Sequence, residues 1–258
     1  MRNSSTISIP FLAIILSFLI GCTSTKVSKN NQLIWSDEFN YNGVPDSTKW
    51  AYDLGGSGWG NNELEYYTNR LKNAHVSNGT LKIVALKENL GDREYTSARL
   101  LTKGKFSTQY GRIETRAKLP SIVGTWPAIW MLGSNSDTVG WPQCGEIDIM
   151  EHKGSELNKI YGTLHYPGHS GANGNGKITM LSNATTEFNI YSLDWTPSSI
   201  KISVNGNEYF NFNNTPDVPF NHHFFLILNL AMGGGFAGPI DPAFSSDSME
   251  VDYVRVYK

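Results

Sequence analysis

Strict two-residue alternation, repeated along the chain, is the feature that most limits what it can fold into. In "GRIETRAKL", Ile113, Thr115, Ala117 and Leu119 alternate with Arg112, Glu114, Arg116 and Lys118. On an extended backbone this sends the charges to one face and the other residues to the opposite one. "SIKISVNGNEYF" alternates Ile200, Ile202 and Val204, then meets Asn205-Gly206, the pair favoured in two-residue hairpin turns. "GTLKIVALK" and "MEVDYVRVYK" read as further strands. "FFLILNLAM" is an unbroken apolar run of strand length, as expected of a central strand buried on both faces. The sequence offers no amphipathic helix longer than two turns and no repeat, and "HSGANGNGK" (169–177) reads as a Gly/Asn loop. Many short strands with almost no helix imply an all-β sandwich or barrel of one domain, with the strand at 249–257 as its last element.

A chain of 258 residues is long enough for a substantial core. A net charge of −2 without any Lys/Arg run argues against nucleic acid as a partner. The 40% hydrophobic content is too high for disorder. What stands out is the 12% of aromatic residues, several of them beside Gly, Asn and Pro rather than inside alternating runs.

The N-terminus follows other rules. Arg2 and a polar stretch precede a mostly apolar run from Ile9 to Ile20, too short to span a bilayer comfortably and suited to the core of a secretory signal. It ends in Leu19-Ile20-Gly21-Cys22, which resembles the lipobox of bacterial lipoproteins. The expectation is a signal peptide over 1–21, lipidation of Cys22, a polar tether over 22–32 and a folded domain over 33–258. The protein would then be exported and held on a bacterial membrane. Lipidation of Cys22 leaves Cys144 as the one other cysteine, so no disulfide is available, and Cys144 is expected to be a small buried hydrophobe.

The chemistry concentrates in "GEIDIMEHKG" (145–154). Glu146 and Asp148 share a face of a strand, whereas Glu151 lies five residues from Glu146 and would point away. Hydrolysis of a glycosidic bond with retention needs two carboxyl groups about 5–5.5 Å apart. Two glutamates flanking an aspartate on one face, with outer Cα atoms roughly 13 Å apart, can lean together to that separation. A β-bulge at Ile149-Met150 would absorb the extra residue and return Glu151 to the face of Glu146. The following "KIYGTLHYPG" could bring Tyr161 and His165 towards the cluster. Trp59, Trp126 and Trp130 lie in segments suited to stacking on sugar rings, whereas Trp35, Trp50 and Trp195 look like core residues.

On these residues the sequence resembles glycoside hydrolase family 16, and its laminarinase (endo-β-1,3-glucanase) branch in particular. The signature is Glu146-Ile-Asp148-Ile-Met-Glu151. "WSDEFN" (35–40), "WGNNELEYYT" (59–68), the segment 95–120, "TWPAIWML" (125–132) and "MEVDYVRVYK" (249–258) match in order. The resemblance implies a β-jelly-roll sandwich, concanavalin A-like, of two antiparallel sheets with a concave cleft for a β-glucan, acting as a monomer without a catalytic cofactor. It implies Glu146 as nucleophile, Glu151 as acid/base and Asp148 between them. Asn62 and Glu63 would contact sugar hydroxyls, and Arg99 would line the same cleft. Laminarinases often carry Trp where this chain has Phe236, which could still stack. A structural calcium is implied at Glu38, the Gly79 carbonyl and Asp252, as oxygen ligands for a hard cation. Mixed-linkage β-glucan, an agar-type galactan and non-catalytic glucan binding stay open as alternatives.

Overall fold

In the computed structural model, residues 1–2 and 32–258 are described. All but the first two residues of the signal, the lipobox with Cys22 and nearly all of the tether therefore lie outside the described residues. Among those described, two sheets of ten and seven strands face each other. The helical content is limited to single turns at Ser136–Val139, Gly171–Asn173 and Gly234–Ala237.

The alternating segments build the larger sheet. Gly111–Lys118 lies between Asn189–Trp195 and the C-terminal strand Ser246–Tyr257. Its Ile113, Thr115 and Ala117 are fully buried against the second sheet. The Asn205-Gly206 turn forms as expected, with φ of +50° and +78°, and joins Ser199–Val204 to Asn207–Asn213.

The smaller sheet forms the concave side. Its order is Asn175–Met180, Lys159–His165, Glu146–Glu151, Thr125–Gly133, Phe224–Met232, Arg99–Leu101 and Ala51–Asp53. Phe224–Met232 is buried at all nine positions, as its continuous apolar run requires. Its core-facing Phe224, Leu226, Leu228, Leu230 and Met232 belong to the main core. Phe225 and Ile227 instead join Leu101 in a small second cluster, packed with Ala51, Trp130 and Leu132. Trp50 and Trp195 are buried, and Trp35 packs on the core with its ring stacked 5.1 Å from Phe106.

One expectation fails here. The segment 169–177 is not wholly loop: from Asn175 it enters the edge strand Asn175–Met180, in full antiparallel register with Lys159–Leu164. Glycine and asparagine disguised that strand, because an edge strand open on one side needs no apolar alternation.

Candidate active site

The catalytic-type strand Glu146–Glu151 is irregular where the spacing of its acids required it to be. Against Thr125–Gly133, Asp148 pairs with Trp130 and Met150 with Ile129, so Ile149 is the extra residue. The other neighbour shows the same slip between Asp148 and Glu151. Two consecutive side chains, Ile149 and Met150, thus enter the core together with Ile147, all at zero exposure. Glu146, Asp148 and Glu151 are left together on the opposite, concave face.

Lateral pairing sets their neighbours. Glu146 lies opposite His165, Asp148 opposite Thr163, and Glu151 opposite Tyr161. The His165 Nε2 atom is 3.2 Å from Asp148 Oδ2 and 3.9 Å from Glu146 Oε1. On the other side Trp126 Nε1 donates to Glu151 Oε1 at 3.0 Å. Tyr161 turns away from the acids and donates its hydroxyl to Glu156. Of the two residues expected to approach the cluster, the histidine does so and the tyrosine hydroxyl does not.

Burial dominates the electrostatics. It pushes the Glu146 carboxyl well above the ordinary range, aided by the charge of Asp148. It pushes Asp148 up to about 8 against a hydrogen bond with Glu146. Glu151 also rises to about 8, through burial first and then Asp148, with the Trp126 hydrogen bond opposing. Three carboxyls this close cannot all ionise near neutrality, and they titrate as one system. A cluster that keeps a proton while carrying negative charge offers both an acid and a nucleophile.

The cleft wall is built around Arg99. Its guanidinium carbon lies 4.8 Å from the ring centroids of both Trp59 and Trp130, and its Nε is 3.0 Å from Asp53 Oδ2. Trp130 Nε1 donates to Asn229 at 2.7 Å. Asn229 in turn donates to the Tyr67 hydroxyl, which donates to Glu63 Oε2, both at 3.0 Å. Glu63 is only 4% exposed, and its other oxygen accepts from Asn61 Nδ2. It braces the wall from behind, while Asn62 stands exposed in the left-handed region at φ +57°.

Phe236 occupies the far side of the acids. Its ring centroid is 5.0 Å from those of Trp126 and Tyr161, and Lys153 Nζ lies 4.9 Å from it. The loop bearing Phe236 is tied to the Trp59–Glu63 turn by Gly235 N–H to Asn61 O at 2.8 Å. A Cβ at Gly234 would come within 2.8 Å of the same oxygen, and φ there is +72°, so glycine is required twice over.

Residues 61–255 match the profile described as Glycosyl hydrolases family 16. The chain belongs to this family. A beta-glucanase of Rhodothermus marinus is 45% identical over 95% of this family 16 chain and 93% of the relative. A glucan endo-1,3-beta-glucosidase of Cryptopygus antarcticus is 40% identical over 86% and 90%. The solved laminarinase of Rhodothermus marinus superposes with a TM-score of 0.85 at 46% identity, covering 88% of this chain and 97% of that one. The two-sheet jelly roll is therefore that of the laminarinases.

The expected calcium ligands are differently occupied in this family 16 chain. Both oxygens of Glu38 accept from Arg255, at 2.9 and 2.7 Å, and Asp252 accepts from Arg116 at 2.6 Å. Gly79 lines a surface hollow with Asn40, Tyr41, Asn42 and Asn78. Both carboxylates are engaged by guanidinium groups, and a calcium ion at this donor set would have to displace these pairs.

Two site residues escaped sequence analysis. Asn229 is the one polar residue inside "FFLILNLAM", a signal that was there to be used. Trp141 is 48% exposed, with its ring 5.9 Å from His165. Its position beside Pro142 in the loop leading to Glu146 was the available hint. Cys144, as expected, is buried and free, with burial pushing its thiol up to about 11.

Proposed function

We propose that this chain is a retaining endo-β-1,3-glucanase, with Glu146 as nucleophile and Glu151 as acid/base. The observation that carries the reading is the bulge at Ile149, which puts both glutamates and Asp148 on the cleft face, beside the neighbouring strand that carries Trp126 and Trp130. The similarity to laminarinases and to a glucan endo-1,3-beta-glucosidase supports the linkage. Glu146 attacks the anomeric carbon while Glu151 protonates the departing oxygen. Glu151, now a base, then takes a proton from water, and the resulting hydroxide displaces Glu146. Asp148 holds the nucleophile in place and shares the cluster's proton, and His165 packs against both carboxyls. The test is laminarin hydrolysis followed by NMR of the first-formed anomer. β-Configured new ends and loss of activity in Glu146→Gln are expected; α-configured ends or a fully active variant would refute the mechanism.

For the N-terminus we infer attachment to a membrane through lipid on Cys22, on the strength of Leu19-Ile20-Gly21-Cys22 following an apolar run. Cys22→Ala is expected to abolish incorporation of labelled palmitate in a bacterial host. Undiminished labelling would rule the anchor out.

A further inference from the structure

The cleft is lopsided about its acids. Four strands lie on the Arg99 side of Glu146–Glu151, and only Lys159–His165 and Asn175–Met180 lie on the other. An enzyme that cuts inside a chain must hold glycan on both flanks, so the short flank has a ligand to bind. Lateral rows define its surface, since directly paired residues share a face. The row through Glu146 and His165 ends at Gly174, where a Cβ would lie 2.5 Å from His165 Cε1. The row through Asp148 and Thr163 ends at Gly176, where a Cβ would lie 2.9 Å from Thr163 Oγ1. Both rows therefore end without a side chain. The row through Glu151 runs instead to Tyr161 and Ile178, and the next pairs Lys159 with Met180.

Ile178 is 53% and Met180 67% exposed, two large apolar side chains side by side on the cleft face of an edge strand. Gly162, between Tyr161 and Thr163, fixes which face this is: its Cβ would meet Tyr209 and Ile202 of the opposite sheet. The Tyr161 ring is held on edge against Phe236 and anchored through its hydroxyl to Glu156. The result is a ledge, two strand spacings or roughly 10 Å deep. It is low beside Glu146 and raised beside Glu151.

Resting on the glucanase reading above, we propose that Tyr161, Ile178 and Met180 bind the departing, reducing-end half of the glucan. The apolar C–H faces of its sugar rings lie on this ledge, in line with the carboxyl that protonates their oxygen. With room for so few sugars, this flank sets where along a short oligosaccharide the cut falls.

The experiment uses a reduced, end-labelled laminarihexaose and compares wild type with Ile178→Ser/Met180→Ser and with Ile178→Trp. The serine variant is expected to raise KM about five- to twentyfold with a smaller effect on kcat. It should also shift cleavage so that fewer sugars occupy the reducing-end side. The tryptophan variant is expected to shift both in the opposite direction. Unchanged KM and cleavage pattern in both variants would overturn the proposal, as would a shift confined to the non-reducing side. So would a dimer in wild type that the serine variant dissolves, since the ledge would then be an interface between copies. Inactivity of the wild type on laminarin would instead refute the glucanase reading itself.

Discussion

Removing the Glu146 side chain as Glu146→Ala is expected to abolish turnover of laminarin, and added azide is expected to restore cleavage of an aryl β-glucoside with the α-glycosyl azide as product. The alanine leaves space at position 146 on the cleft face, bounded by His165 and Asp148. A small anion entering there attacks the anomeric carbon from the side Glu146 used, and the aryl oxide leaves with its electron pair. One displacement inverts. In Glu151→Ala an activated aryl group still leaves unaided, so Glu146 forms the glycosyl ester. Azide then enters from the vacated Glu151 side and gives the β-azide after two inversions. Loss of the acid/base is expected to cost roughly 10²–10⁴-fold on laminarin, and loss of the nucleophile at least as much. Identical azide anomers from the two variants would show that the roles are misassigned. NMR of the isolated azides decides it.

Most of this site could be read from sequence because side-chain periodicity is a strong constraint. Glu151 had to share a face with Glu146 for the acids to act together, and an extra residue between them left a bulge as the natural solution. The core-facing pair Ile149 and Met150 is the other half of that solution, since both can be apolar only if both point inward. What could not be read lies across strands rather than along them. The Asn229–Tyr67–Glu63 chain joins residues up to 166 positions apart, and no local pattern announces it. The resemblance implies Glu63 as a sugar contact, whereas here its carboxylate accepts from Asn61 and Tyr67. The ion pairs at the expected calcium positions were unreadable for a related reason. Glu38 and Asp252 are acids at the expected positions, but the sequence does not show that Arg255 and Arg116 reach them. The edge strand Asn175–Met180 was hidden by Gly176 within it and Gly174 before it, where a side chain would meet Thr163 or His165.

Glu151→Gln is expected to make the protein inactive but more heat-stable, by a margin that widens as pH rises from about 4.5 to about 8. Burial and the charge of Asp148 raise the Glu151 carboxyl from 4.5 to about 8 in the folded chain. Between those values the native state binds a proton that the unfolded state has already released, so wild-type stability falls with rising pH. Glutamine has no proton to lose and keeps a comparable shape beside Trp126. At one pKa unit per 1.36 kcal/mol, the full shift would be worth about 5 kcal/mol. Sharing of the proton with Asp148 and Glu146, and water in the open cleft, reduce this to roughly 1–3 kcal/mol. For a chain of this size that corresponds to about 2–10 °C in Tm. His152 acts in the opposite sense. Burial lowers its pKa to about 4, so it withdraws stability as pH falls from 6.5. That contribution is present in both proteins and cancels in their difference. Calorimetry of wild type and variant at pH 5, 6.5 and 8 therefore isolates the acid cluster. A gap that stays constant, or narrows towards pH 8, would mean that Glu151 is already ionised in the folded enzyme and does not hold the proton that the departing sugar needs.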